Sequence, residues 1–179
     1  RPIDVVFMFS GQGGQHPGMA KALYASAPVF RAEIDRCSEI LGPDAQGRTL
    51  LDVMLAPPGD EAIHETVWTQ PALFALQYSL VALWASWGVK PAAVIGHSLG
   101  EYAAACVAGA MSLEDGLKLV ATRGKVCAAM PAGAMATIYA PLAQVEAEVA
   151  PRSARLSVAA VNGPESIVIA GEKADVEAV

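Results

Sequence analysis

Cysteine, histidine and positive charge are all scarce in this 179-residue sequence, and each scarcity removes a class of function. Cys37, Cys106 and Cys127 are odd in number, far apart and without zinc-site or redox spacing, so neither a metal centre nor a disulfide framework is expected. All three are read as reduced and packed in the core, in keeping with a cytoplasmic protein. The 12 Lys and Arg are outnumbered by 18 Asp and Glu, for a net charge of -6, and they are scattered, which argues against nucleic acid as a partner. No internal repeat or low-complexity tract is present. The stretch Ile3 to Phe9 lacks the length and flanks of a signal peptide, and a chain opening on Arg1 reads as a domain of a larger polypeptide. The one long apolar run, Ala72 to Val89, approaches the length of a membrane span but carries Gln77, Tyr78, Ser79 and Ser86. With Pro71 ahead of it and Gly88 and Pro91 after it, a helix buried on all sides in a soluble core is expected, with no membrane partner.

What is present reads as α/β. Asp4 to Phe9 is a short apolar strand that ends in Ser10-Gly11-Gln12-Gly13-Gly14. Pro28 at a first helical position, then Phe30, Ile34, Cys37 and Leu41 at helical spacing, and Gly42-Pro43 as a stop predict a helix over 28–41. After the apolar helix comes a second strand, Ala92 to Ile95, then a tight turn and an alanine-rich helix. Ser112 with Asp115 resembles a capping box that opens a helix from 113 to about 130, ended by Pro131. Beyond Pro131 the rhythm shortens to strand 134–139, helix 142–149, strand 156–161, a turn at Asn162-Gly163-Pro164, strand 166–170 and a helix from 172. That order, β-α-β-β-α, lacks one strand of a ferredoxin-like module. The predicted division is therefore 1–130 and 131–179, with the second part incomplete at Val179.

Ser98 in Gly96-His97-Ser98-Leu99-Gly100 carries the chemistry. A serine at the apex of a strand-to-helix turn needs small flanking residues, which Gly96 and Gly100 provide, and its hydroxyl then projects outward as a nucleophile. The Leu99 N–H, among the first amides of the next helix, can donate to an oxyanion at the same spot. Chance alone yields G-x-S-x-G in a chain of this size on the order of 5% of the time. The glycine loop Gly11-Gln12-Gly13-Gly14-Gln15 has neither the P-loop Lys nor dinucleotide spacing, so phosphate binding is a weak candidate. Close backbone approach to a reacting centre, with Gln12 or its amide holding an oxyanion, is one alternative, and an ordinary flexible turn is another. On a helical wheel over 113–130, Arg123 falls with Val120, Cys127, Leu119 and Met130 on the interior side, opposite Glu114, Lys118 and Lys125. It is either a structural ion pair, a snorkelling side chain, or a fork that grips a substrate carboxylate. A serine nucleophile also needs a base, and His16, His64 and His97 are poor candidates. His97 adjoins Ser98 and is read as shaping the pocket, His64 is expected to be exposed, and the base is expected beyond Val179.

In order along the chain, FSGQGGQHPGMA, TQPALFALQ, VIGHSLGEYAAA, ATRGK and VNGPESIVIAG resemble the malonyl-CoA:acyl carrier protein transacylases, and most of all the acyltransferase domains of polyketide synthases. The resemblance covers nearly the whole chain. It implies an α/β-hydrolase-like larger subdomain with a ferredoxin-like small one, Ser98 as nucleophile, Gln12 and the Leu99 amide as oxyanion donors, and Arg123 as clamp for a malonyl-type carboxylate. Gln70 and His97 match positions that line the acyl pocket. The family's histidine base lies roughly a hundred residues after the serine, past the end of this chain. The implied reaction takes an acyl group from a CoA thioester onto Ser98 and passes it to the phosphopantetheine thiol of an acyl carrier protein, with no permanently bound cofactor or metal. A carrier protein and neighbouring synthase domains such as a ketosynthase are the implied partners. A serine hydrolase or thioesterase shares Ser98 and its turn, and an inert structural fragment of a synthase is the non-enzymatic alternative.

Overall fold

A computed structural model describes residues 4–179, which divide into two compact units, one ending at Ala129 and the other spanning Met130–Val179. In the first unit, strand β1 (Val6–Phe9) is followed by helices α1 (Lys21–Ser26), α2 (Pro28–Leu41), α3 (Leu50–Met54) and α4 (Thr66–Ser86). Strand β2 (Ala93–Gly96) then leads into α5 (Gly100–Val107) and α6 (Leu113–Ala129). β1 and β2 pair in parallel from Val6 opposite Ala93 to Phe9 opposite Gly96, so the loops that leave their C-terminal ends emerge at one edge.

The helices form where their sequences supply both a face and an end. α2 starts with Pro28 in its first turn, buries Phe30, Ile34 and Cys37 at helical spacing, and stops at Gly42, whose φ of 66° a side chain would resist. α3 is closed by a full capping box between Thr49 and Asp52. Before α6 the half of the predicted box that caps the helix forms: Asp115 N–H donates to Ser112 Oγ at 3.0 Å, and Ser112 Oγ donates to Asp115 Oδ2 at 2.8 Å. Phe30 and Phe74 are fully buried in the shared core, each contributing about 1.5–3 kcal/mol. α4 and α6 approach closely, because a Cβ on Gly124 would stand 2.9 Å from the Thr66 carbonyl oxygen.

Several expectations need correction. The apolar helix begins at Thr66 rather than after Pro71, so Pro71 lies inside it. Pro71 has no N–H to give the Val67 carbonyl four residues back, and the Thr69 hydroxyl donates to the Ile63 and Glu65 carbonyls at the start of the helix. Nor is this helix buried on all sides. Thr69 through Ala75 are buried, but Trp84 is exposed, and Trp87 just beyond the helix is 62% exposed, the two rings meeting edge to face at 5.3 Å. No helix among the described residues is long and apolar enough to cross a membrane. Cys37 and Cys106 are buried, and burial pushes the Cys37 thiol up to about 12, but Cys127 is exposed. Leu119 and Met130 are exposed as well, so the interior arc assigned to Arg123 is narrower than the wheel implied, reduced to Leu113, Gly116, Leu117, Val120 and Gly124. The outer face of the small sheet is also open: Met8 is 81% and Ile95 56% exposed.

The second unit runs β3 (Ala134–Ile138), α7 (Leu142–Val149), β4 (Leu156–Gly163), β5 (Ser166–Gly171) and α8 (Lys173–Ala178), the predicted order. Its antiparallel sheet has the order β3-β5-β4. Ile167 and Ile169 alternate inward from central β5 onto Val145, Val149, Leu156 and Val176. β4 extends to Gly163, two residues past its expected end, because Gly163 still pairs with Ser166 and leaves only Pro164 and Glu165 in the turn.

Candidate functional site

The turn after β2 carries the one strained backbone among the described residues outside glycine: Ser98 has φ of 51°. Holding a non-glycine residue in the left-handed region costs about 1–3 kcal/mol, a cost that clusters at functional sites. The neighbours enforce it. His97 N–H donates to the Phe9 carbonyl at 2.9 Å, Gly100 N–H to the His97 carbonyl at 2.9 Å, and Glu101 N–H to the Ser98 carbonyl at 3.1 Å. A Cβ on Gly100 would overlap the Phe9 carbonyl, and one on Gly96 would overlap the Glu101 amide, so β1, β2 and α5 can meet here only with glycine at both positions. Gly100→Ala is accordingly expected to lower stability by about 1–3 kcal/mol, read as the denaturation midpoint. An unchanged midpoint would contradict this close approach.

The elbow presents Ser98 to solvent while Leu99 beside it is buried and opens α5, whose first amides point back toward the serine. No backbone carbonyl among the described residues accepts the Leu99 N–H. The glycine loop after β1 lies against the same turn: a Cβ on Gly11 would stand 3.3 Å from the His97 carbonyl oxygen, 3.5 Å from His97 Nδ1 and 3.5 Å from Ser98 Cβ. Gln12 follows, exposed in the turn, and Gln15 braces the loop by accepting from Gly13 N–H at 2.8 Å. The parallel register thus brings Ser98, His97, Leu99 and the Gln12 loop to one sheet edge.

Arg123 and Gln70 form a second group in the same unit. Arg123 is half-buried, and its Nη1 donates to Gln70 Oε1 at 2.7 Å. Gln70 is 1% exposed and in turn donates from Nε2 to Thr66 Oγ1 at 3.0 Å, and the guanidinium, which can only donate, fixes Oε1 as the end of the amide that faces it. The guanidinium also lies over the Tyr102 ring, 5.8 Å from its centroid. Tyr102 is on the first turn of α5, the helix that the Ser98 turn opens, so the arginine fork packs against that helix. Arg123 donates to no carboxylate among the described residues, so of the three alternatives the structural ion pair finds no partner there.

Of the histidines, His64 is exposed and 3.7 Å from Glu61, and His16 Nδ1 stands 3.1 Å from the Pro17 carbonyl oxygen. No group of three or more His, Cys, Asp or Glu among the described residues could hold a metal ion. Three residues of the site escaped sequence reasoning. Thr66 and Tyr102 gave no signal, being ordinary residues of helical stretches. Gln77 gave one, as an amide inside an apolar run. It is buried, donates from Nε2 to the Ser10 carbonyl at 2.8 Å, and its Oε1 is buried without a partner among the described residues, at a cost of about 1–3 kcal/mol.

The profile of the acyl transferase domain family matches residues 6–179. Among similar proteins, a spectinabilin polyketide synthase system protein of Streptomyces orinoci, NorA', is 46% identical over 96% of this chain. The erythronolide synthase EryA2 of Saccharopolyspora erythraea is 46% identical over 94%. This chain spans only 5% of the length of each of these curated relatives. Among solved structures, the acyltransferase domain from the second module of the salinomycin polyketide synthase is 45% identical with a TM-score of 0.89, covering 98% of this chain and 40% of that one. The malonyl CoA-acyl carrier protein transacylase from Clostridium perfringens is 31% identical with a TM-score of 0.84, covering 98% of this chain and 55% of that one. With the strained serine on its strand-to-helix turn and this match over nearly its whole length, the chain belongs to the acyl transferase domain family.

Proposed function

We propose that this chain loads a malonyl-type unit from a CoA thioester onto Ser98 and passes it to the phosphopantetheine thiol of an acyl carrier protein, as part of a polyketide or fatty acid synthase. The observation that carries this reading is the Arg123 fork, bonded to Gln70 and lying over Tyr102 of the helix that the strained serine's turn opens. An esterase needs no cation at that place, whereas a carboxylated acyl group does.

In the first half-reaction Ser98 Oγ attacks the thioester carbon. The new C–O bond forms, the C–S bond breaks through a tetrahedral oxyanion, and the hydroxyl proton passes by way of a base to the departing CoA sulfur. The Leu99 N–H and Gln12 would stabilise the oxyanion, while Gln70 and His97 line the acyl site. In the second half the carrier thiol attacks the Ser98 ester and restores the hydroxyl. The base is proposed to be a histidine after Val179. The two units are proposed to be the α/β-hydrolase-like and ferredoxin-like subdomains of the domain, supported by parallel β1 and β2 in one and the β3-β5-β4 sheet in the other. The carrier protein and a neighbouring ketosynthase are the proposed partners, with no cofactor held permanently.

Incubating the full-length protein that contains this chain with malonyl-CoA and a phosphopantetheinylated carrier protein tests the reading. Malonyl-carrier is expected to accumulate faster than free malonate. Rapid release of malonate without transfer would make the protein a hydrolase instead.

A further inference from the structure

The glycine loop is tied to the helical core by one side chain, Gln77. Gln77 lies midway along α4, beside Leu80 and Val81, and reaches 67 residues back in sequence to the carbonyl of Ser10, the first residue after β1. The same carbonyl oxygen lies 2.9 Å from where a Cβ on Gly100 would stand. Ser10 O is therefore close both to Gln77 Nε2 and to the glycine that shapes the elbow. The amide can face it only one way, since the opposite orientation would set Oε1 against a carbonyl oxygen, two acceptors with no proton between them. The correct orientation leaves Oε1 buried and unpartnered among the described residues. A methionine would fill the same space with no such loss. A glutamine retained at this energetic disadvantage, bonded to a functional loop, points to a use beyond packing.

Fixing the Ser10 carbonyl fixes the plane of the Ser10–Gly11 peptide, and only the torsions of Gly11 and Gln12 then separate that plane from the Gln12 side chain. We infer that Gln77 is a positioning residue: it holds the loop so that Gln12 meets the oxyanion formed at Ser98. The inference rests on the acyl-transfer reading above. An oxyanion exists only in the transition state and the tetrahedral intermediate, so loosening its donors lowers kcat while leaving ground-state binding and the choice between acyl groups alone.

The test uses the full-length protein and single-turnover acylation from malonyl-CoA. Gln77→Met is expected to acylate Ser98 about tenfold more slowly, with KM within about twofold, an unaltered malonyl-to-acetyl ratio, and a thermal midpoint equal to or above the parent's. Gln77→Glu, whose protonated carboxyl can donate to Ser10 O as the amide does, is expected to recover rate relative to Gln77→Met at pH 6. A Gln77→Met protein that acylates at the parent's rate overturns the inference. So does a rate that falls only in step with a lowered thermal midpoint, or a Gln77→Glu protein no faster than Gln77→Met at pH 6. A Ser98→Ala control separates the two levels of failure: if it still takes up acyl label, the acyl-transfer reading is wrong, whatever Gln77 does.

Discussion

Ser98→Ala in the full-length protein is expected to take up no acyl label from malonyl-CoA, with transfer to the carrier protein reduced at least about 10⁴-fold. Alanine is the informative replacement because it carries the same Cβ as serine. It meets the same resistance at φ of 51°, so β1, β2 and α5 remain under the same strain while only the hydroxyl is lost. A thermal midpoint close to the parent's, together with loss of labelling, would assign the defect to chemistry rather than folding. Labelling of Ser98→Ala at the parent's rate would remove Ser98 from the reaction.

Arg123→Ala is expected to lower the preference for malonyl over acetyl, as the ratio of the two kcat/KM values, by about 100-fold. That corresponds to about 2.7 kcal/mol, within the range for charge-assisted hydrogen bonds to a buried partner. The guanidinium gives one Nη1 to Gln70 and keeps other N–H groups for a substrate carboxylate. An acyl group without a carboxylate leaves those donors unpaired, and this penalty is what discriminates. Removing Arg123 also strips Gln70 Oε1 of its donor and uncovers the Tyr102 ring, so a modest loss of stability is expected alongside. Arg123→Lys separates the two roles: it keeps a charge but not the planar fork, and an intermediate selectivity is expected. An unchanged malonyl-to-acetyl ratio in Arg123→Ala would sink the clamp.

What the sequence made legible was governed by local rules. The ends of α2 and α6 follow from Pro28, Gly42 and the Ser112–Asp115 box, and the elbow follows from Gly96 and Gly100, because each depends on neighbours a few residues away. α3 was legible in the same way and was overlooked: Thr49 and Asp52 spell out its capping box just ahead of Leu50 to Met54. Long-range contacts were not legible. Nothing in the spacing of Gln77 and Ser10, or of Gln70 and Arg123, reports that they meet, since these hydrogen bonds join α4 to the loop after β1 and to α6. The wheel placed Arg123 usefully but for partly wrong reasons. It treated Leu119, Cys127 and Met130 as interior by their chemistry, and all three are exposed. Pro71 misled as a boundary because a proline inside a helix removes one bond, here that to the Val67 carbonyl, while the buried run from Thr69 to Ala75 holds the helix together across it.

The open face of β1 and β2 has a bearing on the bench. Among the described residues the two parallel strands form a sheet with no third strand, which leaves strand edges open to pairing, and Val6, Met8 and Ile95 are exposed on one face of it. In solution at high concentration, the 179-residue chain on its own would invite strand-to-strand self-association. Turnover measured on such a preparation would then report the fraction of molecules that had escaped clumping, so light scattering belongs beside every rate taken on this chain.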